Sequence, residues 1–417
     1  MQAKSETIRR LLDLEARGSV RVQALVQEPG SEFLAVDAEA AYWPAAETPE
    51  GPNGTEVPEG FTIRAERLRD EHYGGFAPVL QLPEQKTPVL LRLDELHRPV
   101  TKIVIDVQEV DHRQLIPVYI ERPARSSCFV EINMAPNADA RVLLVEVPDA
   151  DESRPEGEEA TEGSLPAVYC DLNLAEGARL EVAVVHDFRR YAVEDGVLRS
   201  APAAQVTKSA RPSTAIEDRP IYLYLSKVKK DARFKWLSVN LDESIHEYGH
   251  VRLVEPGAQG ETYTAAFVPT DRIQHYQVIM EHEAPHTRSS VLSHGVVDET
   301  AEGRFVARGR IHKGANGTRC DQTSRFLTLD SSSRGFVDPL LVIDEFDVEA
   351  GHAGSSGQID EAQLFYLRTR GIGREQAERL ITQGFLKPLI DHLALDQARQ
   401  LAHGILHSHG GGGGDAS

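Results

Sequence analysis

A chain of 417 residues with a formal net charge of −20 is long enough to bury a large core, as one solenoid domain or as two to three ordinary ones. The negative balance argues against a nucleic-acid partner, whose binding runs on cations that displace counterions. No run of about 18 apolar residues occurs and the N-terminus MQAKSETIRRLLDLEARG lacks the apolar centre of a signal peptide, so no membrane partner and a cytoplasmic location are expected.

Residues 1–85 read as an N-terminal region with a small α/β part. It opens on a short amphipathic helix (Ile8, Leu11, Leu12, Leu14) and passes through the Pro/Gly-rich connector AETPEGPNGTEVPEG. Residues 86–357 read as a β core. Its early strands are expected at Lys102–Val107, Val118–Ile120, Arg141–Val147 and Arg179–Val185, with an acidic surface loop at Pro148–Gly163.

Between about Arg233 and Val348 the strand signals become dense, from FKWLSVNL to PLLVIDEFDV. Periodicity alone permits an antiparallel sandwich, a barrel or a parallel solenoid. The large number of strands, their irregular alternation and the small turn residues Gly303, Gly309, Gly314, Asn316 and Gly317 favour the solenoid, although no sharp repeat motif stands out.

Residues 358–410 turn helical. Asp360 is placed to cap a helix through Tyr366 and Leu367, with Gln363 in the capping-box position and Gly371 as the stop. Ala377, Leu380, Ile381 and Phe385 mark a second helix, and a third segment follows Pro388. Residues 411–417 close the chain as a disordered tail.

No GxSxG elbow, phosphate-binding loop or HExxH pair is present, which argues against an enzyme. The carboxylates Asp344, Glu345, Asp347 and Glu349 could bind a cation, but on an extended strand Asp347 and Glu349 share one face and read as a solvated edge. An acid-catalysed cleavage of an acidic polysaccharide ranks low, since neither a basic groove nor an aromatic platform accompanies these acids. His352, in the open turn GHAGSSG, offers an imidazole to a bulky partner.

His275, His282, His286 and His294 lie in one strand-rich stretch with Glu281 and Glu283, but alternation on a strand prevents a closed ligand set. The cysteines Cys128, Cys170 and Cys320 stand far apart without a CxxC pair, against both a disulfide framework and a zinc knot. Cys320 is a candidate thiolate, with Arg319 beside it to favour deprotonation. One cysteine in this region cannot complete a four-ligand cluster, so any cluster must be shared across an interface.

The stretch SSSRGFVDPLLVIDEFDVEAGHAGSSGQIDEAQLFYLRTRGIGREQAERLITQGFLKPLI resembles the signature region of the SufB/SufD family of iron–sulfur cluster assembly proteins. The match combines a proline before an apolar strand, an acidic segment leading into a GHA turn, I-D-x-x-Q-L-F-Y-L-x-x-R-G-I and an alanine-bearing helix ending in G-F. The resemblance implies a right-handed parallel β-helix flanked by helical parts. It also implies pairing with a SufB-like paralogue and recruitment of a SufC-like ABC ATPase through the C-terminal helices.

SufB-type chains carry a cysteine a few residues before the proline and a glutamate after the histidine. Here Ser333 precedes Pro339 and Ala353 follows His352, which points to the SufD branch. On this reading His352 contributes to an iron or cluster interface and is the metal-facing residue, with Glu349 and Cys320 as further candidates. Leu364, Phe365, Tyr366, Arg368 and Arg370 are candidates for the ATPase contact. No tightly bound cofactor is expected, only transient iron or a cluster. The alternative is a self-sufficient homodimeric scaffold that holds iron or a cluster by itself.

Overall fold

The computed structural model describes residues 21–26, 34–38, 61–67, 101–108, 114–121, 128–147, 167–186, 191–194, 197–200, 221–241, 244–393, 399, 402, 403 and 406. The expected N-terminal helix, the Pro/Gly-rich connector, the acidic loop and the terminal tail lie outside the described residues.

The early strands are β1 (Arg21–Val26), β2 (Leu34–Ala38), β3 (Phe61–Arg67), β4 (Thr101–Val107), β5 (Gln114–Glu121), β6 (Cys128–Met134) and β7 (Asp139–Val147). Next come β8 (Ala167–Leu174), β9 (Arg179–His186), the short hairpin β10 (Tyr191–Glu194) and β11 (Val197–Ser200), β12 (Ile221–Val228) and β13 (Arg233–Asn240). The later coils hold β14 (Ile245–Leu253), β15 (Gln259–Val268), β16 (Ile273–His282), β17 (Arg288–Val297) and β18 (Glu302–Ile311). The last strands are β19 (Thr318–Thr328), β20 (Arg334–Ile343) and β21 (Val348–Gln358), followed by helices α1 (Glu361–Thr369) and α2 (Arg374–Ile390).

One sheet runs β2-β1-β5-β7-β9-β13-β15-β17-β19-β21 and the other β20-β18-β16-β14-β12-β8-β6-β4-β3. Among the described residues, apart from the pairings of β1 with β2 and β5, of β3 with β4 and of β10 with β11, every pairing is parallel. Successive long strands alternate between the sheets, so each coil lays one strand on each. This is the β-helix-like solenoid that the strand count favoured, and it excludes the antiparallel sandwich and barrel.

The repeat that the sequence seemed to lack sits at one corner. Where the chain passes from the β20 sheet to the β21 sheet, a residue with positive φ recurs: Asn137, Gly177, Asp231, Gly257, His286 and Gly317. Asn, Asp, His and Gly tolerate that conformation best. Each is followed by a small, fully covered residue, namely Ala138, Ala178, Ala232, Ala258, Thr287 or Thr318. The corners also hold one another: Gly177 N–H donates to Lys230 O at 2.9 Å, Asp231 N–H to Pro256 O at 3.1 Å and His286 N–H to Asn316 O at 2.8 Å.

Inside, residues in register stack into columns. Trp236, Thr262, Val291, Gln322 and His352 form one, and Phe234, Gly260, Ser289, Cys320 and Ala350 another. Large rings need empty neighbours in such a stack. Phe326 lies flat on Phe305, with ring centroids 4.1 Å apart. It fills a niche where a side chain at Gly295, Gly303 or Gly335 would collide with its ring. The same reasoning fixes Gly249 beneath the buried ring of Tyr224.

The interior is not wholly apolar. Glu247 is buried, with Ser238 Oγ donating to it at 2.6 Å and Trp236 Nε1–H at 3.3 Å. His186 Nε2 stands 3.2 Å from Ser238 Oγ and 3.4 Å from the Glu247 carboxylate. A buried carboxylate is tolerable only with such partners.

The outer faces of the two sheets differ. Leu386, Leu389 and Ile390 of α2 pack on Val185, Leu237, Val239, Ala265, Phe267 and Val296, covering β9, β13, β15 and β17 of the β21 sheet. His294 Nδ1 meets Phe385 O at 2.9 Å and its ring stacks on Phe385. The expected break at Pro388 does not occur, because α2 continues through it to Ile390. A proline in the last turn disturbs little of the hydrogen-bond ladder that lies behind it. The Asp360 cap forms as read: its side chain accepts from Ala362 N–H at 2.8 Å, and Gly371 takes positive φ.

Candidate functional site

The solenoid ends in a coil that nothing covers among the described residues. β20 pairs only with β18 and β21 only with β19, so each keeps one free edge. β19 alternates buried and accessible residues, whereas every residue of β20 and β21 is at least partly accessible. Both edges bring unpaired N–H and C=O groups to the surface.

His352 belongs to this coil. The segment GHAGSSG, read as a turn, lies within β21, because Thr318–Thr328 provides an unbroken template for pairing. In register His352 stands beside Gln322, and both face the inner side of the sheet. The imidazole is exposed at the mouth of the solenoid. Gln322 beneath it is buried, and neither atom of its side-chain amide finds a hydrogen-bond partner.

The other sequence candidates divide between the faces. Glu349, three residues from His352, points to the opposite side and lies 3.7 Å from Arg319. Cys320 faces the interior, fully covered, and burial pushes its thiol pKa up against the pull of the Ser289 hydroxyl. Arg319 does not activate it, since its guanidinium is on the outer side with Asp321 at 2.7 Å. The thiolate expectation therefore fails through strand alternation.

Asp344, Glu345 and Asp347 do not extend a strand with Glu349. They form the corner between β20 and β21, where the Glu345 carboxylate accepts from Phe346 N–H and Gly314 N–H, both at 2.8 Å. These backbone donors, Phe346 first, hold its pKa below the usual value. Among the described residues no three His, Cys, Asp or Glu side chains converge into a metal cage.

The histidines of the strand-rich stretch are spent on structure. His282 is buried between Thr287 Oγ1 and Ser289 Oγ, each at 2.8 Å, and burial pushes its pKa down to about 4, with His312 adding to the effect. His275 Nε2 meets Glu302 at 3.1 Å, and His286 occupies a corner. The sequence reading missed a bridge on the outside, where Glu281 takes His250 Nε2 at 2.8 Å and His312 Nε2 at 2.7 Å. These two imidazoles, His250 first, hold the Glu281 carboxyl down to about 2.

On α1 the four consecutive large residues separate. Leu364 is buried and packs with Ile359 and Ala377, against Leu327 and Leu329 of the solenoid. Phe365 and Tyr366 stand out, 68% and 56% exposed. Arg370 donates to Tyr366 Oη at 3.0 Å and lies over its ring, and Arg368 is exposed on the same helix.

The fold defines a class: a parallel β-solenoid with a short helical subdomain. Residues 221–385 match the family described as "SUF system FeS cluster assembly, SufBD core domain". Within that stretch the chain is similar to proteins of the SufB/SufD family. Over 172 residues it is 34% identical to the iron-sulfur cluster assembly protein SufD of Bacillus subtilis, covering 41% of this chain and 39% of that one.

SufBD family proteins of Mycobacterium bovis and Mycobacterium leprae are 31% identical over 179 residues and 33% identical over 180. Those matches cover 42% and 41% of this chain, and 21% and 46% of the relatives. The similarity thus spans less than half the length of each of these relatives. No helix among the described residues is long and apolar enough to cross a membrane.

Proposed function

We propose that this chain is a SufD-like scaffold subunit of an iron–sulfur cluster assembly complex, without catalytic chemistry of its own. The observation that carries the reading is the uncovered last coil with His352 exposed on its inner face beside the unsatisfied Gln322. Free edges on β20 and β21 suit a SufB-like paralogue that continues both sheets by strand addition. His352 then donates one ring nitrogen to iron or a nascent cluster, and the paralogue supplies the remaining ligands, because such clusters require about four. Glu349 and Cys320 act indirectly, one through its pair with Arg319 and the other by packing beneath the site.

Phe365, Tyr366, Arg368 and Arg370 on α1 provide the surface for a SufC-like ATPase, while Leu364 anchors the helix from within. The same free edges would also accept a second copy of the chain, with a second His352, and a self-sufficient homodimer is the competing reading. Anaerobic affinity purification of the tagged chain, with partner identification and iron and sulfide assays, separates the two. Recovery of an ABC-type ATPase and a cysteine-bearing paralogue supports the scaffold subunit. Recovery of the chain as a dimer carrying iron supports the homodimer, and recovery alone without metal sinks both.

A further inference from the structure

The outer face of the β20 sheet carries a second surface, away from His352 and the helices. β18 sends Arg304, Arg308 and Arg310 to this face, since its residues alternate strictly between buried and half-buried. Among the described residues none of the three makes an ion pair. Arg304 lies over the Phe336 ring at 4.6 Å, and Arg310 Nε is shut off from solvent without an acceptor.

Three unpaired arginines on one strand are unexpected in a chain of net charge −20. The nearby carboxylates are already engaged: Glu281 with His250 and His312, Glu283 with Arg252, and Glu302 with His275. Asp338 lies on the same face of β20, in register with Val306 rather than with an arginine. Beside the arginines β20 exposes Phe336, Leu340 and Val342 at 41%, 45% and 42%. On the other sheet α2 covers the outer side of β9, β13, β15 and β17, whereas no helix packs on β18 or β20 among the described residues.

We propose that the outer face of β18 and β20 docks an acidic protein segment. Its carboxylates pair with Arg308 and Arg310, and its apolar side chains cover Phe336, Leu340 and Val342. Arginine suits carboxylates because its planar fork gives two parallel hydrogen bonds, and arginine with aromatic residues is enriched where proteins meet. A nucleic-acid strand fits less well, because the apolar strip of Phe336, Leu340 and Val342 has nothing to offer a phosphate backbone. The proposal does not depend on the cluster-assembly reading.

The test titrates the full chain into a fluorescein-labelled peptide of Glu-Glu-Leu repeats and reads anisotropy, with a Gln-Gln-Leu peptide in parallel. The glutamate peptide should bind saturably, weaken with added salt, and lose about tenfold or more in affinity with R308Q/R310Q; the glutamine peptide should not bind. Leu340→Ser, which alters only an accessible side chain, should weaken binding as well and decides the matter if the arginine variant does not fold. Equal binding of both peptides, or unchanged binding in the folded variants, overturns the proposal. Self-association that R308Q/R310Q abolishes overturns it in favour of a second copy, and preferential binding of a single-stranded RNA probe in favour of a nucleic acid.

Discussion

β19 and β21 lie side by side in register over their full lengths, yet one is half core and the other is surface. The difference does not come from composition, since both are built largely of small and polar residues with few bulky apolar ones. It comes from neighbours. A solenoid strand is buried by the coils on either side of it, and β21 has a coil on one side only. The glycines Gly351, Gly354 and Gly357 make β21 a strand that another backbone can approach closely.

The comparison is broken or sharpened by urea unfolding of variants on either side of it. Phe326→Ala, which empties the niche between Gly295, Gly303 and Gly335, should cost about 3–5 kcal/mol. A loss no larger than that of an accessible residue on β20 would erase the distinction between inner and last coils.

Next in size is an acid effect at His282. In the unfolded chain this imidazole takes its proton near 6.5, while burial lowers that to about 4 in the fold. Between these values the unfolded chain binds more protons, so stability falls as pH drops from 6.5 towards 4 and levels off below. The effect is on the order of 3 kcal/mol, and His282→Gln should remove that part of the pH slope. An unchanged slope would mean that the cavity around His282 admits the charged form.

Leu340→Ser on the open coil should move stability by no more than about 0.5 kcal/mol. Smallest of all is His352→Ala, expected to leave the urea midpoint where it was while impairing cluster assembly in cells. Normal activity of cluster-dependent enzymes in that variant removes His352 from the mechanism.

Much of this fold was legible in the sequence because parallel coils are made of local strands. The short Val, Ile and Leu runs fell on β4, β5, β7 and β9, and the capping by Asp360 was read residue by residue. The repeat stayed hidden because its mark is a backbone conformation, shared by Asn137, Asp231 and His286 with three glycines, rather than a residue type. Unequal stretches between early corners, such as that from β9 to β12, blurred the period further.

The site was legible in part. His352 could be found from the motif around it, but its strand conformation is imposed by β19 and does not show in GHAGSSG. Cys320 and Arg319 are neighbours in the chain and on opposite sides of the sheet, so adjacency suggested a chemistry that alternation forbids. The Glu247 cluster and the Glu281 bridge join residues on different strands. Register brings the Glu281 bridge together, and the facing of the two sheets across the interior brings the Glu247 cluster together.

The corner ladder also decides where this protein can change length. On the side of Asn137, Gly177, Asp231 and Gly257, every coil must make the same tight step or the hydrogen bonds between corners are lost. Two long connections, from β7 to β8 and from β9 to β12, join strands on the opposite side, where the chain returns from the β21 sheet to the β20 sheet. In the early coils one flank is thus held by the corner ladder, while on the other the strands are joined by longer stretches of chain; from β13 onward both flanks turn in short corners. A fluorescent label or a whole inserted domain belongs between Val147 and Ala167, away from the corner ladder, where it should leave the pitch of the coils untouched.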